Sequence, residues 1–520
     1  MKLIDPAKPK RSRSTALALG AGALFVSSLF SQMLGLMTLV VTARLLTPAD
    51  FGVIAYFMII VALLEILQRS VMVILIRQDE ISDDLLNTVF TIQILLGVIS
   101  AGLIWLSSQL IELLNVPELV ELIPSLCLLA LMSSLRSPRF PLLERNFRFG
   151  FAAGEETISR VTYTLFAILL AWFWRDFWAI VVAVVLTQLA RVIWSFSVAP
   201  MLPRLTLRCW RDCFGFSMWS VGVQIIQFLT TNMPQIVIGA TLGLVDAGIF
   251  RIGYRFVLLF TVQVFAPLER VIYPGLADAS RTEGTSQKTF EQANAILLGI
   301  IVPISVGMAL VSKYMIIVVA GYQWVAAAQV IWILAPLKAV ETLQANVKSA
   351  SYVEGNTRLL FLRNGMLLII TIVFMLFGTR FGFTGALIGA GASSLAAIFI
   401  TLIMARNFGV GGFFKPVLAA WRSFVATGVM TVAVLILISA YGNEDVAGWA
   451  YSSVDDLPLL RIRFSAQVLT GIVTYIGTHL LLWHMVGRPR GFESMALDLL
   501  SKIKNHFIGS PENRKPGTGT

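Results

Sequence analysis

The sequence predicts an all-α polytopic membrane protein with about fourteen transmembrane helices, and three observations predict it. Hydrophobic residues make up 57% of the 520-residue chain and charged residues only 13%, against about 45–50% and about 25% in soluble domains. Apolar runs recur from Ala16 to His484, and about 20 residues of helix suffice to cross a bilayer. Lys and Arg concentrate on alternate connecting segments, as a positive-inside orientation requires. The runs lack the short alternating strands of a transmembrane β-barrel.

The chain opens on MKLIDPAKPKRSRS. The apolar run after it is longer than the core of a signal peptide, about 7–15 residues, so residues 1–15 read as a cytoplasmic tail. The predicted spans are Ala16–Val41, Phe51–Ile66, Leu86–Leu106, Leu122–Leu135, Ile158–Phe173 and Trp178–Val198. They continue as Phe214–Leu242, Ala247–Ala266, Ala295–Val311, Ala326–Val347, Leu359–Phe377 and Gly385–Met404. Phe424–Ala440 and Ala466–Val486 complete the set. With the N-terminus inside, inner segments hold 29 of the 40 Lys and Arg residues when Arg363, near the inner end of the eleventh span, is counted with them; outer loops hold 6, and the other 5 lie within spans. An even number of spans with both termini cytoplasmic satisfies this asymmetry. The longest outer loop, Tyr441 to Pro458, is too short for a separate catalytic domain.

The chain repeats itself. ARLLTPADFGVIAY at Ala43–Tyr56 is echoed within IGATLGLVDAGIFRIGYRF at Ile238–Phe256, with Asp246 aligned on Asp50 and Gly248 on Gly52. Leu114–Pro117 precedes the fourth span as Gly321–Trp324 precedes the tenth. The expected organisation is therefore a tail (1–15), a six-helix bundle (16–200), a second six-helix bundle (201–407), two additional helices (408–487) and a cytoplasmic tail (488–520). Both copies start on the inner side, so a pseudo-twofold axis along the membrane normal relates them, and transporters of this kind place substrate between such halves.

No enzyme motif is present: no Walker phosphate loop, no HExxH and no GxSxG. Cys127 lies in an apolar run, and Cys209 and Cys213 are read as free thiols without a nearby histidine to make a zinc site. No metal or cofactor is expected. His479 and His484 read as structural or interfacial. The net charge of +11 is largely the orientation signal. It favours anionic lipid headgroups and calls for no nucleic acid.

Charges within spans are costly and mark pairs or wet cavities. Arg251 and Arg255 lie one turn apart on one helix face beside Tyr254. Arg160, Arg191 and Lys338 are the other intramembrane cations, and Glu65, Glu269 and Glu341 the acids. A cationic cavity of Arg251, Arg255, Lys338, Arg160, Arg191 and Tyr254 suits a phosphate-bearing anion. Snorkelling or pairing is the alternative for each, with Glu341 three residues from Lys338. The three acids are candidates either for ion coupling or for salt bridges. Pro234, Pro267, Pro303 and Pro336 interrupt helices of the second half and permit bending.

ARLLTPADFG, FPLLERNFRF at Phe140–Phe149, the Ile238–Phe256 stretch, RVIYPGLA at Arg270–Ala277, GYQWVAAAQVIWILAP at Gly321–Pro336 and EGNTR at Glu354–Arg358 together resemble the polysaccharide transporter family. These are Wzx-type flippases of the MOP superfamily, which also holds MATE exporters and the lipid II flippase. The resemblance implies a multi-pass protein of the bacterial inner membrane. It implies that oligosaccharide linked through pyrophosphate to undecaprenol is moved between leaflets by alternating access, with Arg255 and Arg251 as the pyrophosphate residues. It also brings the polymerase and chain-length regulator of the same pathway into view as partners. The alternative is a MATE-like drug or cation antiporter, which would favour acids in the cavity. The candidates singled out above are five basic residues against three acids. A glycan polymerase or ligase would be expected to have a large outer catalytic loop.

Overall fold

Each predicted span folds at least in part as helix, because a backbone crossing lipid must satisfy its own hydrogen bonds. The computed structural model describes residues 13–77, 81–112, 117–146, 148–261, 286–341, 357–407, 420–441 and 457–487. In order, the helices are α1 (Arg13–Leu45), α2 (Pro48–Arg77), α3 (Asp83–Glu112), α4 (Pro117–Glu121), α5 (Ile123–Ser134), α6 (Phe140–Arg145), α7 (Phe149–Trp174) and α8 (Trp178–Val198). They continue as α9 (Trp210–Leu242), α10 (Leu244–Phe260), α11 (Ser286–Val319), the 3-10 turn η1 (Tyr322–Trp324) and α12 (Ala327–Glu341). The last four are α13 (Thr357–Thr379), α14 (Gly382–Asn407), α15 (Trp421–Ala440) and α16 (Leu457–Met485). Among the described residues there is no strand, and 11 helices are long and apolar enough to cross a membrane. The fourth, eighth and tenth predicted spans correspond to α5, α10 and α12, whose described lengths are 12, 17 and 15 residues.

Two compact units are present. The first comprises Met1–Arg255, Ile316–Val330 and Ala350–Ala396; the second comprises Phe256–Met315, Ile331–Ser349 and Ala397–Thr520.

In the first unit the two echoed turns are built differently and touch one another. The Thr47 amide donates to Asp50 Oδ2 at 2.8 Å and the Asp50 amide donates to Thr47 Oγ1 at 3.3 Å. This is a reciprocal cap, and Pro48 at the first helical position suits it. In the second copy Gly243 stands where the first has Thr47. Its φ of 98° lies in a region that glycine enters without steric cost, and it turns the chain from α9 straight into α10. The two turns then interlock. A β-carbon at Gly52 would overlap the Leu244 carbonyl oxygen, and one at Gly248 would overlap the Pro48 carbonyl oxygen. Leu244 aligns on Pro48 and Gly248 on Gly52, so the two contacts are equivalent under the repeat. Tyr56 reinforces them by donating from its hydroxyl to the Ile236 carbonyl at 3.1 Å.

The Gly321–Trp324 segment closes on the first turn. Trp324 Nε1 and Gln323 Nε2 both donate to the Ala43 carbonyl at 2.7 Å, and Gln323 also reaches the Leu46 carbonyl at 3.1 Å. The Trp324 ring is fully buried and meets Phe51 edge to face at 5.0 Å. In return Arg44 donates to the carbonyls of Val318 and Val319. α1 and α7 pack through small polar residues: Ser27 bonds the Ala153 carbonyl at 3.0 Å and Thr38 bonds Thr164 at 2.9 Å. Small hydroxylated residues permit such close helix approach in membranes.

In the second unit Leu297, Leu298, Ile301 and Val302 of α11 pack with Ala339 and Ala420. Pro303 has no amide hydrogen, so the Gly299 carbonyl one turn earlier loses its helix partner. The Tyr475 hydroxyl of α16 donates to that carbonyl at 2.5 Å. α16 is thereby tied to the break in α11.

Candidate functional site

α10 presents two faces. Gly253 packs so tightly on α12 that a β-carbon there would lie 2.6 Å from the Ala327 carbonyl oxygen and from Val330 Cβ. Ile252 and Phe256 are buried beside it. Arg251 and Arg255, on the opposite side of the helix, are only half-buried. Tyr254 stacks on Phe250 at 5.4 Å, so its ring is spent on packing along the helix.

The arginine face of α10 lies within electrostatic reach of α7: Arg251, Arg255 and Arg160 each interact through charge with Tyr163, and Arg255 and Arg160 repel one another. Arg160 lies against α1 at Gly35, where a β-carbon would be in ordinary contact with its Nη1 at 3.6 Å. None of the three arginines has a carboxylate within ion-pair distance among the described residues. Cations so placed within spans mark a pair or a wet cavity.

The other predicted cations are placed differently. Arg191 Nη1 bonds Glu65 Oε1 at 2.6 Å and its Nε bonds Ser159 Oγ at 3.1 Å. Glu65 also faces Arg69 at 3.7 Å. Arg191 is thus an ion-paired residue tying α8 to α2 and α7, and Glu65 is its partner. Lys338 belongs to the second unit and bonds Glu341 at 2.6 Å. Glu269 lies outside the described residues, as do Pro267 and the RVIYPGLA stretch.

Three features escaped the sequence reading. Tyr163 sits three residues after Arg160, and that helical spacing was its one signal. Arg363, counted with the inner segments, lies inside α13 with 4% exposure and bonds Asn364 Oδ1 at 3.2 Å. Arg136, in the turn after α5, pairs with Glu155 of α7 and lies over the Phe140 ring at 5.6 Å. Burial pushes its guanidinium down from the usual value, and Glu155 opposes that shift. Cys127 and Cys209 are free thiols; the Cys213 side chain is outside the described set.

Comparison with known proteins follows the same segments. The chain is 24% identical over 310 residues to the succinoglycan biosynthesis transport protein ExoT of Rhizobium meliloti (strain 1021), covering 59% of this chain and 63% of that protein. It is 23% identical over 306 residues to the lipopolysaccharide biosynthesis protein WzxC of Escherichia coli (strain K12), covering 56% and 60%. These matches span less than two thirds of either relative. Among solved structures, the lipid II flippase MurJ in an inward closed conformation superposes with a TM-score of 0.65 at 14% identity, over 89% of this chain and 99% of that one. An inward-facing multidrug resistance MATE family transporter of the MOP superfamily gives 0.52 at 14% identity, over 73% and 94%. The fold is therefore that of MurJ and the MATE transporters. The family described as "Polysaccharide biosynthesis protein" matches residues 41–329, more than half of the chain and a range that holds both echoed turns and the arginine cluster, and the chain belongs to that family.

Proposed function

We propose that this protein is a flippase for undecaprenyl-pyrophosphate-linked oligosaccharide repeat units. It moves them across the bacterial inner membrane for exopolysaccharide, capsule or O-antigen synthesis. The observation that carries the reading is that Arg160, Arg251 and Arg255, which all interact electrostatically with Tyr163, have no carboxylate partner among the described residues. A pyrophosphate supplies the missing negative charge through charge-assisted hydrogen bonds to guanidinium forks. A cationic drug would meet repulsion at the same place. Alternating access of two repeated six-helix halves, 16–200 and 201–407, with both termini cytoplasmic, is the accompanying mechanism. The relatives' names, succinoglycan transport and lipopolysaccharide biosynthesis, support a glycan rather than a drug.

The test is made in the native host. Deletion should stall one surface or secreted polysaccharide, with its lipid-linked repeat units retained on the inner leaflet. Arg255→Ala should reproduce that defect at wild-type levels of membrane-inserted protein. Full complementation by Arg255→Ala overturns the site. Accumulation of repeat units on the outer leaflet overturns the flippase reading in favour of polymerisation.

A further inference from the structure

The segment between α8 and α9 is neither helix nor loose loop. Pro200 and Pro203 keep it extended, and side chains of the first unit hold its backbone at five points. The amides of Arg204, Thr206 and Cys209 donate to Asn87 Oδ1 at 2.9 Å, Thr91 Oγ1 at 3.0 Å and Thr88 Oγ1 at 3.4 Å on α3. Ser137 Oγ and Arg139 Nη1 donate to the carbonyls of Ala199 and Pro200 at 2.7 and 3.2 Å. Met201 and Cys209 turn inward onto the cluster of Val71, Leu75, Leu85, Leu86 and Val89.

The remaining apolar side chains of the segment turn outward. Leu202 is 93% and Leu205 73% exposed, and Leu207 and Trp210 are about half exposed. Between them stand two exposed arginines. Arg204 has no ion-pair partner among the described residues, and Arg208 has only a distant, exposed contact with Asp84 at 3.5 Å. The segment joins the candidate spans Trp178–Val198 and Gly222–Leu242, so it lies where a bilayer's headgroups begin. Leucine and tryptophan alternating with arginine at that depth match an anionic lipid surface in both polarity and sign. Ordinary linkers between spans are polar and unpinned, and this one is fixed in the shape that displays its leucines.

We propose that Leu202–Trp210 is an interfacial strap that binds anionic phospholipid. Arg204 and Arg208 take the headgroup phosphate, and Leu202, Leu205 and Leu207 enter the acyl region. The strap connects the two repeated halves, so lipid bound there bears on the first unit through α3, whatever substrate the transporter carries.

The test uses the purified full-length protein, titrated with phosphatidylglycerol or phosphatidylcholine and read by native mass spectrometry. Wild type should retain phosphatidylglycerol in preference. Arg204→Gln/Arg208→Gln should lower that preference by about fivefold for each arginine lost, while Leu202→Ser/Leu205→Ser should weaken retention of both lipids. These side chains are exposed and the five bonds to the backbone remain. Arg204→Gln alone keeps the test available if a double variant misfolds. Equal retention of the two lipids by wild type overturns the proposal, as does undiminished selectivity in the arginine variants. It is also overturned if the leucine variant keeps its lipid and instead loses a protein that co-purifies from native membranes.

Discussion

Gly52 and Leu244 meet so closely that no side chain fits between them, and the contact is repeated by Gly248 and Pro48 across the internal symmetry of the chain. Turns 196 residues apart in sequence are thus in backbone contact, and each depends on a glycine in the other's path.

Gly52→Ala and Gly248→Ala should therefore each destabilise the protein. The new methyl group meets a backbone carbonyl rather than a flexible side chain, and overpacking of this kind costs about 1–3 kcal/mol. Thermal unfolding of purified protein checks this. Gly102→Ala, where no atom lies within 4 Å of the built β-carbon, should leave stability unchanged or slightly raised.

Trp324 and Gln323 share one acceptor, the Ala43 carbonyl. Trp324→Phe should cost about 1–3 kcal/mol, through a lost hydrogen bond and imperfect filling of a fully buried site. Gln323→Leu should cost less. Because either donor alone still satisfies the carbonyl, the double variant should lose more than the two single losses combined, which a double-mutant cycle measures.

Tyr475→Phe removes the donor to the Gly299 carbonyl and should cost about 0.6–1.7 kcal/mol, the range of single hydrogen bonds within membrane proteins. Pro303→Ala restores an amide at the break and lets the carbonyl bond within α11. In that background Tyr475→Phe should be nearly neutral. Equal cost in both backgrounds would show that the hydroxyl does not serve the proline break.

Arg191 and Arg255 should behave oppositely. Arg191→Gln leaves Glu65 with only the weaker Arg69 contact and should cost stability, on the order of 1–3 kcal/mol for a partly buried charge left without its partner. Arg255→Gln removes a cation that has no carboxylate partner among the described residues, so it should leave stability intact and abolish transport. Unfolding temperatures and transport rates measured on the same preparations separate the two roles.

These contrasts show what the sequence could and could not reveal. Each predicted span fell on a helix, since hydropathy responds to the one constraint lipid imposes on every segment. The ends were less legible. The second span is predicted to stop at Ile66, and α2 runs on through Gln68, Arg69 and Ser70 to Arg77. The fourth span, Leu122–Leu135, coincides with α5, and the short helix α4 that precedes it from Pro117 lies outside the predicted run. The arginine pair of α10 was visible from i, i+4 spacing alone. Its company was not: Tyr163 and Arg160 come from a helix some ninety residues earlier, and only packing brings them there. Arg191 and Arg160 look alike in the sequence as isolated intramembrane cations, and a distant glutamate, present for Arg191 and absent for Arg160 among the described residues, sets them apart. The repeat pointed to equivalent turns, but that they touch through paired glycines follows from the fold.

The most direct test of the central claim is translocation by the purified protein in vesicles. Undecaprenyl-pyrophosphate-linked oligosaccharide is placed in one leaflet, and its appearance in the other is followed by a glycan-cleaving enzyme that cannot cross. The account predicts transfer well above protein-free vesicles, lost in Arg255→Ala and retained in part by Arg255→Lys. Transfer no faster than in protein-free vesicles, in a preparation that instead exchanges a cationic drug for protons, would contradict it.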